Sequence, residues 1–121
     1  IRSTEFITLP AQEATRELLM IRPRPTALFM GNNLMTIGAL CTIRQLGLRI
    51  TDDISIVGFD DPEWSEIISP TLTAVAQPTY ELGVSAMKLL HKRIQGDEDV
   101  TGELVLSCKL VVRDSTGPCK E

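Results

Sequence analysis

Aromatic residues are scarce in this sequence, at 4% of 121 residues, with one tryptophan and one tyrosine. Aliphatic side chains must therefore form most of any hydrophobic core. The apolar fraction of 43% and the charged fraction of 23% are ordinary for a folded soluble protein. A chain of this length can bury roughly two-thirds of the surface that it exposes when unfolded. The composition predicts one folded domain, or part of one, and argues against disorder.

Positive charge is scarce as well, since 12 Lys and Arg residues face 16 Asp and Glu residues and the net charge is −4. Surfaces that bind nucleic acids are usually basic, because they displace counterions from phosphates. We therefore expect any DNA contact to be made by a part of the protein outside this chain. No apolar run approaches the roughly 20 residues that span a bilayer, and the first residues show no signal-peptide pattern. We expect a soluble chain.

The few cysteines are badly spaced for metal or disulfide chemistry. Cys41, Cys108 and Cys119 are odd in number and far apart. Zinc sites usually need closely spaced Cys or His residues, and disulfide frameworks usually need an even number of cysteines. We expect reduced thiols, a cytoplasmic location, and neither a metal nor another cofactor.

Residue patterns typical of catalysis are missing. His91, the only histidine, falls in a predicted helix beside Lys92 and Arg93, and the sequence has no glycine-rich phosphate loop. The adjacent acids Asp60 and Asp61 could hold Mg²⁺ for phosphoryl transfer, as in response-regulator receivers. Such a site also needs a third acid and a lysine at other strand ends, which this sequence does not supply. We expect that the chain is not an enzyme, and the metal-dependent phosphotransfer domain is the less favoured alternative.

Apolar runs and turn residues predict alternating strands and helices. The runs "TALFMG" at 26–31 and "ISIVGF" at 54–59 are typical of buried parallel strands. The helix predicted between them is capped by Asn32 or Asn33 and ends at Gly47. The pattern also predicts a helix at 9–22, a strand at 71–78, a helix at 80–95, a turn at 97–102 and one or two strands at 103–115. The expected fold class is α/β, as an open parallel-sheet, three-layer α/β/α sandwich.

Polar residues follow three predicted strands, at the sheet edge where open parallel sheets bind ligands. They are Asn32 and Asn33 after the first strand, Phe59 and Asp60 at the end of the second, and Gln77 after the third. A carboxylate accepts hydroxyl hydrogens, amides donate and accept, and a ring covers an apolar sugar face. This set predicts a small, neutral, hydroxyl-rich ligand. The alternative, that Asn32 only caps a helix and Asp60 only a turn, stays open.

Five segments occur in one order along the chain: "RPTALFMGNNLMTIGAL", "GLRITDDISIVGFDD", "SPTLTAVAQP", "LGVSAMKLL" and "LVVRDST". In order and spacing they resemble the C-terminal part of LacI/GalR-type transcriptional regulators, over about residues 9–116. The resemblance implies an effector-binding core similar to periplasmic sugar-binding proteins, with a ligand cleft between two α/β subdomains. It assigns residues 1–78 to the C-terminal subdomain of that core. Residues 79–107 would pack with an absent N-terminal subdomain, and residues 108–121 would form a return strand and tail.

The same resemblance implies roles for the polar residues at the strand ends. Asp60 matches the acid that often contacts effector hydroxyls, with Asn32, Asn33, Phe59 and Gln77 as neighbouring wall positions. Asn33 departs from the family, which commonly has Asp at that position. The departure removes one negative charge from the implied site.

A homodimer is also implied by the resemblance. The matching interface positions are Leu34, Ile37, Cys41, Trp64, Ile67 and Ile68. Trp64 could equally fill a core or cover the cleft, since tryptophan serves both purposes. The predicted helix at 80–94 carries an apolar stripe, so we expect it to fold back on the sheet or to be exchanged between two chains.

Two functions follow from these expectations. In a regulator, a sugar in the cleft would change the closure of the two subdomains, and thereby DNA binding by a preceding helix-turn-helix segment. A periplasmic sugar-binding protein of a transporter shares the fold and is the alternative. The cysteines and the apolar stretch near Ile67 favour the regulator.

Overall fold

A computed structural model describes residues 1–96 and 103–119. The elements, in chain order, are α1 (Thr8–Met20), β1 (Ala27–Met30), α2 (Asn33–Gln45), β2 (Ser55–Phe59), a short 3-10 helix (Glu63–Glu66), β3 (Thr73–Ala76), α3 (Thr79–Ile94) and β4 (Lys109–Val111). The predicted helices and strands are confirmed, with one strand in the last segment. The turn predicted at 97–102 lies outside the described residues.

The four strands form one sheet in the order β1-β2-β3-β4. β1 runs parallel to β2, and β2 runs parallel to β3. The helix α2 connects β1 to β2, because parallel neighbours need a long crossover between the end of one strand and the start of the next. The predicted α/β class with an open parallel sheet is confirmed.

Aliphatic side chains fill the core, as the shortage of aromatic residues requires. Four aliphatic side chains are almost completely buried: Ile43 of α2, Ile54 just before β2, Ile56 in β2, and Leu72 just before β3. They pack in one cluster with the end of α1 and with β1. Burial of each such side chain stabilises the fold by about 1.5–3 kcal/mol. This cluster holds β1 and β2 in place, and therefore also the residues that follow them.

α1 and α2 approach each other very closely at Gly38. A Cβ atom at this position would lie 2.6 Å from the Thr8 carbonyl oxygen and 2.9 Å from the Ala11 Cβ. Thr42 donates a hydrogen bond from its hydroxyl to the Gln12 carbonyl one turn further along α2, at 3.1 Å. Only glycine leaves room for the backbone of α1 at this crossing.

The end of the described chain is joined to β2 and β3 through Ser115, which is fully buried. Its hydroxyl accepts a hydrogen bond from the Thr73 N–H at 2.8 Å and donates one to the Ile56 carbonyl at 2.7 Å. The Ile56 N–H in turn donates to the Ser115 carbonyl at 2.9 Å. The segment around Ser115 therefore completes the hydrogen bonding of the two central strands.

The chain divides into two compact units, one of Ile1–Ala76 with Leu110–Glu121 and one of Gln77–Lys109. The second unit contains α3, which has acidic Glu81 in its first turn and basic Lys92 and Arg93 in its last. These charges suit the helix dipole. Within the described part of the chain no α3 residue is buried, and the apolar side chains of Met87 and Ile94 are exposed. Among the described helices, none is long and apolar enough to cross a membrane.

Candidate functional site

The carboxyl ends of β1 and β2 bring four of the five predicted ligand residues to one edge of the sheet. Met30, the last residue of β1, lies opposite Gly58 in the parallel register. The chain therefore leaves both strands at the same edge, with Asn32 and Asn33 following β1 and Asp60 following β2. Phe59 is the last residue of β2 and pairs with Val75 of β3.

Asn32 caps α2. Its Oδ1 accepts a hydrogen bond from the Met35 N–H at 2.8 Å, and its Nδ2 donates to the Phe6 carbonyl at 3.1 Å. The capping role left open in the sequence is therefore confirmed, and it commits part of the amide's capacity to the protein itself. One N–H and one lone pair of this amide remain for another partner.

Asn33 is the first residue of α2 and is half-buried. Its Oδ1 is buried and has no hydrogen-bond partner among residues 1–96 and 103–119. A buried acceptor without a donor costs about 1–3 kcal/mol. The Asn33 carbonyl oxygen is therefore an unsatisfied acceptor within the described residues.

Gly58 allows the start of α2 to lie against β2. A Cβ at Gly58 would be 3.3 Å from the Thr36 Oγ1 and 3.2 Å from a methyl carbon of Leu72. The Thr36 hydroxyl is itself tied to the start of α2, since it donates to the Asn32 carbonyl at 2.8 Å. This close packing keeps the amide residues of α2 next to the end of β2.

Asp60 has an unusual backbone conformation, with φ at +77°. The left-handed region costs an L-residue roughly 1–2 kcal/mol, although Asp and Asn tolerate it better than most residues. The Asp60 N–H donates to the Val75 carbonyl at 3.0 Å, which links the residue to β3. The side chain is half-buried. The backbone at this position therefore needs support from its neighbours.

The residue after Asp60 belongs to an ion-pair cluster that we call the Arg113 cluster: Arg113, Asp61, Glu66 and the Leu72 carbonyl. The Arg113 guanidinium donates to both carboxylate oxygens of Asp61, at 2.7 and 2.9 Å, and to Glu66 at 2.9 Å. A further bond of 2.8 Å reaches the Leu72 carbonyl. The side chains of Arg113 and Asp61 are only 13% and 16% exposed. The adjacent acid Asp61 is therefore part of an internal ion pair.

The charges in this cluster change the protonation equilibria in the expected directions. Hydrogen bonds from Arg113 lower the pKa of the Asp61 carboxyl below its ordinary value. Hydrogen bonding to Asp61 raises the pKa of the Arg113 guanidinium. The pair stays ionised at neutral pH. The sequence analysis considered Asp61 as a possible Mg²⁺ ligand beside Asp60 and did not identify Arg113, although a lone arginine after the apolar "LVV" could have suggested a buried partner.

Gln77, the fifth predicted ligand residue, belongs to the second unit. Its backbone carbonyl accepts a hydrogen bond from the Thr79 N–H at 2.9 Å at the start of α3. Its place in the same ligand site stays a prediction.

The six predicted interface positions differ in exposure. Ile67 is 83% exposed and Leu34 is also exposed, as expected of side chains that could contact a second chain. Trp64 and Ile68 are half-buried and pack against the hydrophobic core. Ile37 and Cys41 are half-buried on α2. Trp64 therefore contributes to the core of this chain, and its role in a dimer stays a prediction.

Two other features bear on the chemistry. No group of three or more His, Cys, Asp or Glu residues that could hold a metal ion occurs in the described ranges. A groove of about 550 Å³ lies between α1 and β1, with Ala11, Leu18 and Phe29 among its lining residues. Asn33 and Asp60 are not among the residues that line it.

An open parallel sheet with polar residues at its carboxyl edge is typical of ligand-binding α/β proteins. The sequence profile of the periplasmic binding protein-like domain matches residues 2–116, and the chain belongs to this family. It is 37% identical over 112 residues to the HTH-type transcriptional repressor CytR of Escherichia coli strain K12, a match that covers 93% of this chain and 33% of the repressor. The chain spans about a third of the length of the curated relatives it matches.

Solved structures show the same relationship. A LacI family transcriptional regulator from Enterococcus faecium with bound ribose is 36% identical, with a TM-score of 0.84, and the match covers 97% of this chain and 43% of that one. A complex of the transcriptional regulator CelR with cellobiose is 37% identical, with a TM-score of 0.82, covering 91% and 34%. The predicted resemblance to LacI-type regulators is confirmed. These relatives are regulators, in agreement with the expectation that the chain is not an enzyme.

Proposed function

We propose that this chain forms one wall of the effector site of a LacI-type transcriptional regulator and binds a small hydroxylated ligand, a sugar. The observation that carries the proposal is the meeting of Asn33, Phe59 and Asp60 at one edge of the parallel sheet. In such sheets that edge is where ligands bind, because loops there can vary while the strands stay fixed.

The side chains at this edge suit a sugar. The Asp60 carboxylate can accept hydrogen bonds from two ligand hydroxyls, and each charge-assisted bond is shorter and stronger than a neutral one. Asn33 offers an acceptor that lacks a donor within the described residues. The ring of Phe59 can cover an apolar sugar face. Asn32 contributes less, because capping and the bond to Phe6 already use half of its amide.

Sugars bound to relatives support this ligand class. The Enterococcus faecium regulator is described with ribose and CelR with cellobiose. The net charge of −4 supports DNA contact elsewhere in the protein. The match to transcriptional repressors favours a cytoplasmic regulator over a transport protein of the same fold.

In the intact regulator, ligand binding would favour one arrangement of the subdomains, and a homodimer would pass that change to DNA-binding segments. The exposed Ile67 and Leu34 and the exposed apolar residues of α3 supply surface for contacts with the rest of the protein or with a second chain. Burial of such apolar surface is the usual driving force for association.

The test replaces Asp60 with Ala in the full-length regulator and measures operator release during titration with D-ribose and with cellobiose. Loss of charge-assisted hydrogen bonds, worth about 1.5–3 kcal/mol each, should weaken the sugar that binds the parent at least tenfold, with operator affinity unchanged. Asp53→Asn is the control, since Asp53 pairs with exposed Arg49 on the surface. Equal titration curves for Asp60→Ala and the parent would contradict the assignment.

A further inference from the structure

We infer that Arg113 is a positioning residue, which holds Asp60 in the backbone conformation that the ligand site uses. The inference deepens the proposed function and rests on it for the role of Asp60 toward a ligand. In the contacts described above, Arg113 contacts Asp61 but not Asp60. Arg113 therefore acts on Asp60 through Asp61, the next residue in the chain.

The backbone around Asp60 is held from both sides. On one side, the Asp60 N–H donates to Val75 of β3. On the other, the next residue, Asp61, is held by two hydrogen bonds from Arg113. Asp60 lies between these anchors at φ +77°. This conformation is strained for a non-glycine residue and persists where the surrounding structure holds it, although Asp tolerates it better than most residues. The Asp61 anchor depends on a side chain that is 52 residues away in the sequence.

Arg113 is itself tightly fixed, so it can serve as an anchor. Its N–H donates to the Thr73 Oγ1 at 2.9 Å, and the same hydroxyl lies 3.1 Å from its carbonyl oxygen and donates to it. Its guanidinium donates to the Leu72 carbonyl at 2.8 Å. These contacts join Arg113 to Thr73 of β3, the strand that also accepts the hydrogen bond from Asp60, and to Leu72 just before it. Asp60, through its N–H, and Asp61, through Arg113, are therefore both connected to β3.

The geometry requires arginine and not merely a positive charge. Arg113 meets two oxygens of Asp61, one of Glu66 and one backbone carbonyl at once. A planar guanidinium presents its N–H groups in a fixed fork that matches a carboxylate, whereas a lysine ammonium acts as a single point charge. Arg113→Lys therefore keeps the charge and loses the paired hydrogen bonds to the two carboxylate oxygens of Asp61.

The decisive test uses hydrogen exchange measured by NMR on the 121-residue chain and on Arg113→Lys and Asp61→Asn. We expect the Asp60 amide to lose at least tenfold in protection beyond any loss in the interior amides of α2. The NMR signature of a positive φ at Asp60 should weaken in parallel. Arg49→Lys and Asp52→Asn, which alter a surface ion pair whose side chains are 73% and 46% exposed, are matched controls and should leave Asp60 unchanged.

A purely structural role would lower protection at Asp60 and in α2 by the same factor, and that result would overturn the inference. Unchanged exchange protection of the Asp60 amide in both variants would also overturn the inference. A second measurement, calorimetry of D-ribose with the full-length regulator, should show a weaker sugar affinity for Arg113→Lys and no change for Arg49→Lys. Absence of sugar binding by the parent would count against the proposed function, while the exchange data would still decide whether Arg113 positions Asp60.

Discussion

Replacement of Gly38 by Ala tests the closest helix contact in the chain. The added Cβ would meet the Thr8 carbonyl oxygen at 2.6 Å and the Ala11 Cβ at 2.9 Å. Both atoms are backbone or directly attached to it, so no side-chain rotation relieves the overlap and α1 must move away from α2. Overpacking of this kind costs about 3 kcal/mol, at the upper end of its usual range.

Part of that cost is offset, because Ala is about 1 kcal/mol better than Gly inside a helix. The net destabilisation should therefore be about 2 kcal/mol, which lowers the melting temperature of a chain of this size by about 6–10 °C. The matched control is Gly83→Ala in α3, where a new Cβ meets no atom within 4 Å. We expect Gly83→Ala to lose its helical signal at the same temperature as the parent or at a higher one. Thermal unfolding followed by circular dichroism checks both variants, and a Gly38→Ala variant as stable as the parent would refute the packing argument.

Two further predictions concern the ion pair and the assembly. Because the folded-state pKa of Asp61 is lowered, its charge stabilises the fold above the unfolded-state pKa, and this contribution is lost as pH falls through the folded-state pKa. Asp61→Asn should therefore be less stable than the parent at pH 7, by about 2–3 kcal/mol in urea unfolding. It should also lose less stability than the parent as the pH falls from about 5 to about 2, and parallel pH curves would contradict this. Sedimentation of the chain should show a dimer because α3 buries none of its described residues, and a monomer at high concentration would contradict that expectation.

Local signals were enough to predict most of the fold. The apolar runs of β1 and β2, the cap at Asn32 and the stop at Gly47 all act over a few residues, and the structure contains each of them. Parallel pairing followed from the helix between the two strands. The edge shared by Asn33 and Asp60 followed in turn, because parallel strands end on the same side of a sheet.

The Arg113 cluster could not be predicted in the same way. Arg113 and Asp61 are 52 residues apart in the sequence. The turn pattern at Asp61 does not indicate a contact with Arg113, and the strand pattern before Arg113 does not indicate a contact with Asp61. The left-handed backbone of Asp60, with φ at +77°, has no local signal in the sequence either. The orphaned Asn33 Oδ1 likewise depends on how α2 packs.

The central claim is that Asp60 recognises the hydroxyl groups of a ligand at the carboxyl edge of the sheet. A structure of the full-length regulator crystallised with D-ribose or cellobiose tests it most directly. The account predicts at least one Asp60 carboxylate oxygen about 2.5–3.0 Å from a sugar hydroxyl, with Asn33 and Phe59 also in contact. A bound sugar that touches none of these three residues would contradict it.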